Sequence, residues 1–201
     1  MNVNTVKQIV NRGIKSLVKS MEQYWPAIKK NDMSERNITS HVCHSFLQSN
    51  WFMYAEVSFP KQAGQRLDML ALSSRNRGMV AIESKRLESA AKAKELAKDA
   101  RRMKKFRLTK DNASFVPHER NRFGLLLAFT WSPEIQEWWK AKTHASRPHG
   151  ARGAGWKALG RRLDGYKAVC RFVKVPEYGE TEGKYKDFWA LYAIYKLKRN
   201  K

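Results

Sequence analysis

The chain has 201 residues, with 40 Lys and Arg against 18 Asp and Glu, a formal net charge of +22 and a pI near 10.2. That length suits one domain with a real core, and the charge favours polyanionic partners, nucleic acid ahead of anionic membrane. Composition argues against several classes: no apolar run approaches a membrane span, the N-terminus shows no signal-peptide core, and Cys43 and Cys170 form neither a disulfide framework nor a zinc-ligand spacing, so a cytoplasmic protein is expected.

Residues 4–24 predict an amphipathic helix. Val6, Ile9, Val10, Ile14, Leu17, Val18 and Met21 recur at helical spacing, with Lys7, Lys15 and Lys19 off that stripe. Pro26 and Asn31-Asp32 mark a break. Ser34 then reads as the N-cap of a helix reaching about Gln48, with Ile38, Val42 and Phe46 on its apolar face. Glu35 shares that face and lies in the first turn, where the helix dipole favours an acid. His41 and His44 are one turn apart while Cys43 points elsewhere, a pattern of packing more than of a metal cluster. Trp51–Phe59 predicts a strand with Met53, Ala55, Val57 and Phe59 inward, ended by Pro60.

Gln65–Leu87 is the stretch around which the rest is organised. Two apolar runs, Leu67–Leu72 and Met79–Ile82, flank the polar break Ser73–Gly78, as two strands joined by a tight turn would. Each run carries an acid where a buried strand should have none: Asp68 inside the first, Glu83 at the end of the second. Glu83 and Lys85 alternate to one face of their strand and Ser84 to the other. Buried charges are costly unless paired or bound to a cation. A carboxylate from each strand with a lysine beside them therefore reads as a hard-metal site for Mg²⁺ or Mn²⁺. Arg66 alternates to the face of Asp68 and is a candidate phosphate contact. The alternative is a solvated strand end that happens to be charged.

From Glu88 to about Leu108, Ala91, Ala93, Leu96, Ala97, Ala100 and Met103 predict a helix. Its exposed face should carry Lys94, Lys98, Arg101, Arg102, Lys104 and Lys105, with Asp99 pairing through solvent with Arg102 and taking no part in chemistry. Lys110–Arg122 is a polar loop, and Phe123–Phe129 suits a strand buried on both faces. Ser132-Pro133-Glu134 opens another helix, whose apolar content ends at Trp138 and Trp139. His144–Trp156 is basic, glycine-rich and expected to be mobile. Arg147, Arg152, Lys157, Arg161 and Arg162, set among aromatic residues, offer phosphate neutralisation together with base stacking. A flexible loop beside core tryptophans is the alternative. Tyr166–Val175 and Phe188–Leu197 read as paired strands across a long loop. The chain thus divides into an N-terminal helix (1–32), a core (33–131) and a basic extension packed on it (132–201), one domain overall.

Leu67-Asp68-Met69 and Glu83-Ser84-Lys85, their acids about fifteen positions apart, stand in the order helix, three strands, helix, strand over residues 34–131. In both respects the chain resembles the PD-(D/E)XK nuclease superfamily, the core shared by many restriction endonucleases, archaeal Holliday-junction resolvases and phage exonucleases. Leu67 stands where the motif has its proline. The bare spacing also fits Asp164 with Glu182-Gly183-Lys184, but there in a polar, glycine-bearing loop with no apolar strand beneath it. The resemblance implies an α/β fold with a restriction-endonuclease-like αβββαβ core, a mixed sheet flanked by helices, extended by the N-terminal helix, a basic helix or loop and a β-hairpin. It implies a Mg²⁺- or Mn²⁺-dependent deoxyribonuclease, an endonuclease leaving 5′-phosphate and 3′-hydroxyl ends. Asp68, Glu83 and the Ser84 carbonyl would hold the metal, with Glu35 ligating directly or through water. Lys85 would orient or help deprotonate the attacking water, or stabilise the phosphoryl charge. DNA is the implied partner, and a homodimer is compatible with the family's habit. Two rival readings stay open: a non-catalytic nucleic-acid-binding protein that keeps the fold, and an RNA nuclease.

Overall fold

The structure, a computed structural model, describes residues 1–23, 34–59, 65–108, 117–175 and 188–197. Helix α1 (Val3–Gln23) buries the predicted stripe, Val6, Ile9, Val10, Ile14, Leu17 and Met21. Helix α2 (Glu35–Gln48) begins as the cap pattern predicts, with the Ser34 side chain accepting the Arg36 N–H. Then come β1 (Phe52–Ser58), β2 (Arg66–Ser73), β3 (Gly78–Arg86) and α3 (Ala90–Lys105). A single 3-10 turn leads into β4 (Arg122–Thr130), followed by α4 (Pro133–Lys140), α5 (Ala154–Gly165), β5 (Val169–Val175) and β6 (Phe188–Lys196). Ser132 caps α4 and Pro133 opens it, again as read from the sequence.

All six strands form one mixed sheet in the order β1-β2-β3-β4-β6-β5. The first three are an antiparallel meander, and α3 carries the chain back so that β4 lies parallel to β3. β6 pairs antiparallel with both β4 and β5, so the C-terminal strands widen the sheet. Alternation sorts the strand residues onto two faces. Val80, Ile82, Phe123, Leu125, Leu127, Tyr192 and Ile194 join α1 and α2, while Met79, Ala81, Leu126, Ala128, Leu191 and Ala193 join α3, α4 and α5. The result is a sheet with helices on both faces, a general α/β architecture. Among the described residues no helix is long and apolar enough to cross a membrane.

Three expectations need correcting. The edge strand β1 is covered on few sides, so Ala55 is exposed and Met53 and Val57 are only half-buried; Phe59 alone is fully inside. The basic stretch expected to be a mobile loop is in part the helix α5, with Trp156 only 1% exposed. That close packing needs Gly155, since a Cβ there would stand 1.8 Å from the Ala90 carbonyl oxygen on α3. Third, Trp138, Trp139 and Trp156 are all core residues, and the indole N–H groups of Trp138 and Trp139 donate to backbone carbonyls. None of these three rings is open to a base. Glu182 and Lys184 of the second spacing match, and the breaks at Pro26, Asn31-Asp32 and Pro60, lie outside the described residues.

Candidate active-site cleft

The cleft forms where β2 and β3 part. Their ladder runs from Ser73↔Gly78 to Met69↔Ile82, and continuing that register sets Asp68 opposite Glu83 on the α3 face. There the backbone pairing stops and a side chain takes over. The Ser84 amide donates to Asp68 Oδ2 at 2.8 Å, and the Ser84 hydroxyl donates to the same oxygen at 3.2 Å. β3 meanwhile stays paired with β4 as far as Arg86↔Phe129, which holds Glu83, Ser84 and Lys85 rigidly. Opposite Asp68 on the other side, β1 kinks: Glu56, between the pairs Ala55↔Met69 and Val57↔Leu67, has φ 51°. A non-glycine residue in that region carries strain of order 1 kcal/mol, and such strain gathers near functional sites.

Helix α3 forms the facing wall. Tyr195 OH donates to the Ala100 carbonyl, Arg122 Nη2 donates to the Phe106 carbonyl, and Gly155 seats α5 behind the helix. A cleft of about 630 Å³ results, lined by Asp68, Glu83 and Lys85 from the strands and by Lys98, Asp99, Arg101, Arg102 and Lys105 from α3. A second hollow of about 490 Å³ lies against α2 and is lined by Glu35, Glu56 and Ser84. Asp68 lines both.

Glu83 is 1% exposed. Burial, with the nearby Asp68 and Asp99 charges adding to it, pushes its carboxyl up to about 8, while Arg102 works in the opposite direction. The pairing is direct: Arg102 Nη2 stands 2.6 Å from Glu83 Oε1 and 3.0 Å from Asp99 Oδ1. Burial raises Asp99 too, against Arg102 and Lys85. Asp99 does pair with Arg102 as the spacing suggested, but inside the cleft instead of through solvent, and Arg102 is not on the exposed face. Both errors had a signal. Asp99 falls three residues after Leu96 and four before Met103, on the buried stripe, and Arg102 is one turn on from Asp99 and one before Phe106.

The structure brings Asp68, Glu83 and Lys85 into one cleft. Ser84 lines the second hollow and not the cleft, and its amide and hydroxyl bond Asp68, which lines both. Glu35 is in the second hollow, where its Oε1 accepts the Arg86 amide at 2.7 Å. Arg66 is exposed at the rim of the sheet, 4.0 Å from Glu56, and does not line the cleft. Arg147, Arg152, Lys157, Arg161 and Arg162 are on the loop before α5 and on α5 itself, exposed or half-exposed, and none lines the cleft either. The cations around the acids come from α3 instead. His41 is used elsewhere: its Nδ1 meets Ser16 Oγ at 3.0 Å, bonding α2 to α1.

Two carboxylates and an adjoining backbone carbonyl are the hard oxygen donors that Mg²⁺ or Mn²⁺ takes. The mutual charge penalty between Asp68 and Glu83 is of the kind a cation relieves, so this donor chemistry fits such an ion. Among the described residues no group of three or more Asp, Glu, His or Cys converges as a ligand set. Glu35 is turned to Arg86, and Asp99 to Arg102. No protein-family model matches the chain, and neither a curated protein nor a solved structure matches it.

Proposed function

We propose that the protein is a metal-dependent nuclease acting on DNA, built on a restriction-endonuclease-like core from α2 to β4. The observation that carries this reading is the cleft that holds Asp68, Glu83 and Lys85 together under a rim of Lys98, Arg101 and Lys105. Acids at the floor and cations at the rim suit a polyanionic backbone: the rim neutralises phosphates while the floor would hold a metal against one of them. Asp68, Glu83 and the Ser84 carbonyl would hold Mg²⁺ or Mn²⁺, which when bound supplies a lowered pKa for water and neutralises phosphoryl oxygens. Lys85, half-buried at the cleft, has an Nζ able to donate to the attacking water or to a phosphoryl oxygen as charge develops. The Asp68 bonds to Ser84 fix the carboxylate and the strand end relative to each other, so little reorganisation is needed. The products, by resemblance to PD-(D/E)XK nucleases, are 5′-phosphate and 3′-hydroxyl ends.

One observation favours a second reading, a binding protein that keeps the fold without cleavage. Arg102 already supplies Glu83 and Asp99 with a cation of the protein's own, as a purely structural site would need. Incubating the protein with plasmid, linear, branched and single-stranded DNA, and with RNA, in Mg²⁺, Mn²⁺ or chelator separates the two. Divalent-ion-dependent cleavage that falls by orders of magnitude in Glu83→Gln is expected. Binding that weakens steeply with salt but no cleavage of any substrate would leave the second reading standing.

A further inference from the structure

Arg102 binds two of the cleft's acids in an incomplete way. A guanidinium suits fork-like recognition, with two nitrogens on one carboxylate. Here a single nitrogen, Nη2, serves both Glu83 and Asp99. Nε is buried with no hydrogen-bond partner, and the guanidinium carbon lies 5.2 Å from the centre of the Phe59 ring. The group bonds two carboxyl groups without closing around either of them. The Arg102 side chain is 24% exposed, at the cleft it lines with Lys98, Arg101 and Lys105. The Glu83 carboxylate, by contrast, is 1% exposed and fixed on a central strand, so the acid stays and any exchange must be made by its cation.

A divalent ion brings twice the charge to the same oxygens and needs their lone pairs. While Glu83 Oε1 accepts from Arg102 at 2.6 Å, that oxygen is engaged. The two cations therefore compete. Resting on the nuclease reading, we propose that Arg102 is a positioning residue that acts as an exchangeable counter-ion. It holds Glu83 and Asp99 in place without metal, and a divalent ion taken up by Glu83 displaces it toward the Lys98, Arg101 and Lys105 rim, where a phosphate backbone would meet it. Arg102 in this role weakens metal binding by the free protein, and the displaced guanidinium gains a partner once nucleic acid is present.

Calorimetric titration of Mn²⁺ into the whole chain, without nucleic acid, tests this on the parent, Arg102→Met and Arg102→Lys. Removing the competing charge should tighten Mn²⁺ binding by about tenfold or more in Arg102→Met. Arg102→Lys should fall between, since an ammonium still competes but with fewer donors. A merely structural arginine gives the opposite sign, because a loosened site binds metal more weakly. Should Arg102→Met fail to fold alone, recovery of its near-ultraviolet circular dichroism on adding Mn²⁺ supports the inference, together with tighter binding in Arg102→Lys. A variant that stays unfolded in Mn²⁺, with Arg102→Lys no tighter than the parent, opposes it. A parent that binds Mn²⁺ and cleaves, with both variants binding no tighter, overturns the counter-ion role and leaves the nuclease standing. Absence of Mn²⁺ binding in all three, with no cleavage, overturns both.

Discussion

Two carboxylates in this molecule look alike on paper and differ in how their bonds close. Asp164, on α5, is satisfied locally: Oδ2 accepts the His144 amide at 2.8 Å and Oδ1 meets the His144 ring Nδ1 at 2.6 Å, while the ring's Nε2 faces the Trp139 carbonyl at 3.4 Å. Neighbouring donors meet both carboxylate oxygens, and the bond ties the α4–α5 connection to α5. Glu83 sits among same-sign neighbours, Asp68 and Asp99, and shares one arginine nitrogen with the latter. A carboxylate whose bonds close at home anchors a loop; Glu83 is instead crowded by other acids in a cleft lined by basic residues. Both belong to matches of the same spacing formula, which the apolar strands around Glu83 and the polar, glycine-bearing stretch after Asp164 already separate.

Exchanging the insult between the two sites should break the comparison most sharply. Glu83→Gln, and Lys85→Ala alongside it, should lower cleavage by about 10²–10³-fold with the fold intact, since each removes charge that acts on the transition state. Asp164→Asn should leave cleavage by the folded protein unchanged and cost stability, about 1–3 kcal/mol, because one of the two oxygens that meet His144 becomes an NH₂ donor facing a donor. That is a fall of several degrees in Tm. Single-turnover assays below both melting points, with melting curves on the same samples, check it. Cleavage lost in Asp164→Asn, or kept in Glu83→Gln, would move the active site out of this cleft.

The sequence showed which strands carry the acids, and it did so through a conflict: Asp68 and Glu83 interrupt apolar runs where neither belongs. Helix caps at Ser34 and Ser132 were legible for a local reason, since the capping hydroxyl and its amide partner lie within three residues of each other. What could not be read was decided by distant neighbours. Nothing within β1 says that it is an edge strand and leaves Ala55 open. Nothing in the glycine-rich stretch says that α3 will lie against Gly155 and draw Trp156 into the core. Arg102 lies in between: its place on the helix stripe was visible, but its bond to Glu83, nineteen residues earlier, depends on how α3 crosses the sheet.

A smaller effect follows from the raised Glu83 carboxyl. Between the ordinary value of 4.5 and about 8 the folded protein keeps a proton that the unfolded chain has lost. Stability linked to this group is therefore fully present below the lower value and is lost as pH rises through the upper one. Glu83→Gln removes the titration, so its Tm should decline less than the parent's from about pH 5 to about pH 8, and above that it should be the more stable by roughly 1–3 kcal/mol. Mg²⁺ sharpens the test, because an ion that binds the carboxylate form should flatten the parent's decline and leave the variant's curve where it was. The Asp164 pair gives the contrast, since Asp164→Asn should keep the parent's Glu83-linked slope.

The smallest expected effect belongs to Glu35, which stands between the two kinds of carboxylate. Its position ahead of the strands suggests a metal ligand, and its first-turn place suits the helix dipole. In the structure its Oε1 accepts the Arg86 amide, the last residue of β3, so its closed bond resembles that of Asp164 more than the crowding at Glu83. A glutamine can accept the same N–H. Glu35→Gln should therefore keep nearly all cleavage and lose only the dipole contribution, about 0.3–1 kcal/mol. Glu35→Ala abandons the Arg86 amide as well and should cost about 1–2 kcal/mol in all, with the Mg²⁺ concentration at half-maximal cleavage still close to the parent's. A direct or water-bridged ligand behaves otherwise: glutamine would raise the Mg²⁺ requirement severalfold while the melting curve barely moved. Measuring Tm and the Mg²⁺ dependence of cleavage on both variants decides whether Glu35 belongs with the anchor or with the cleft.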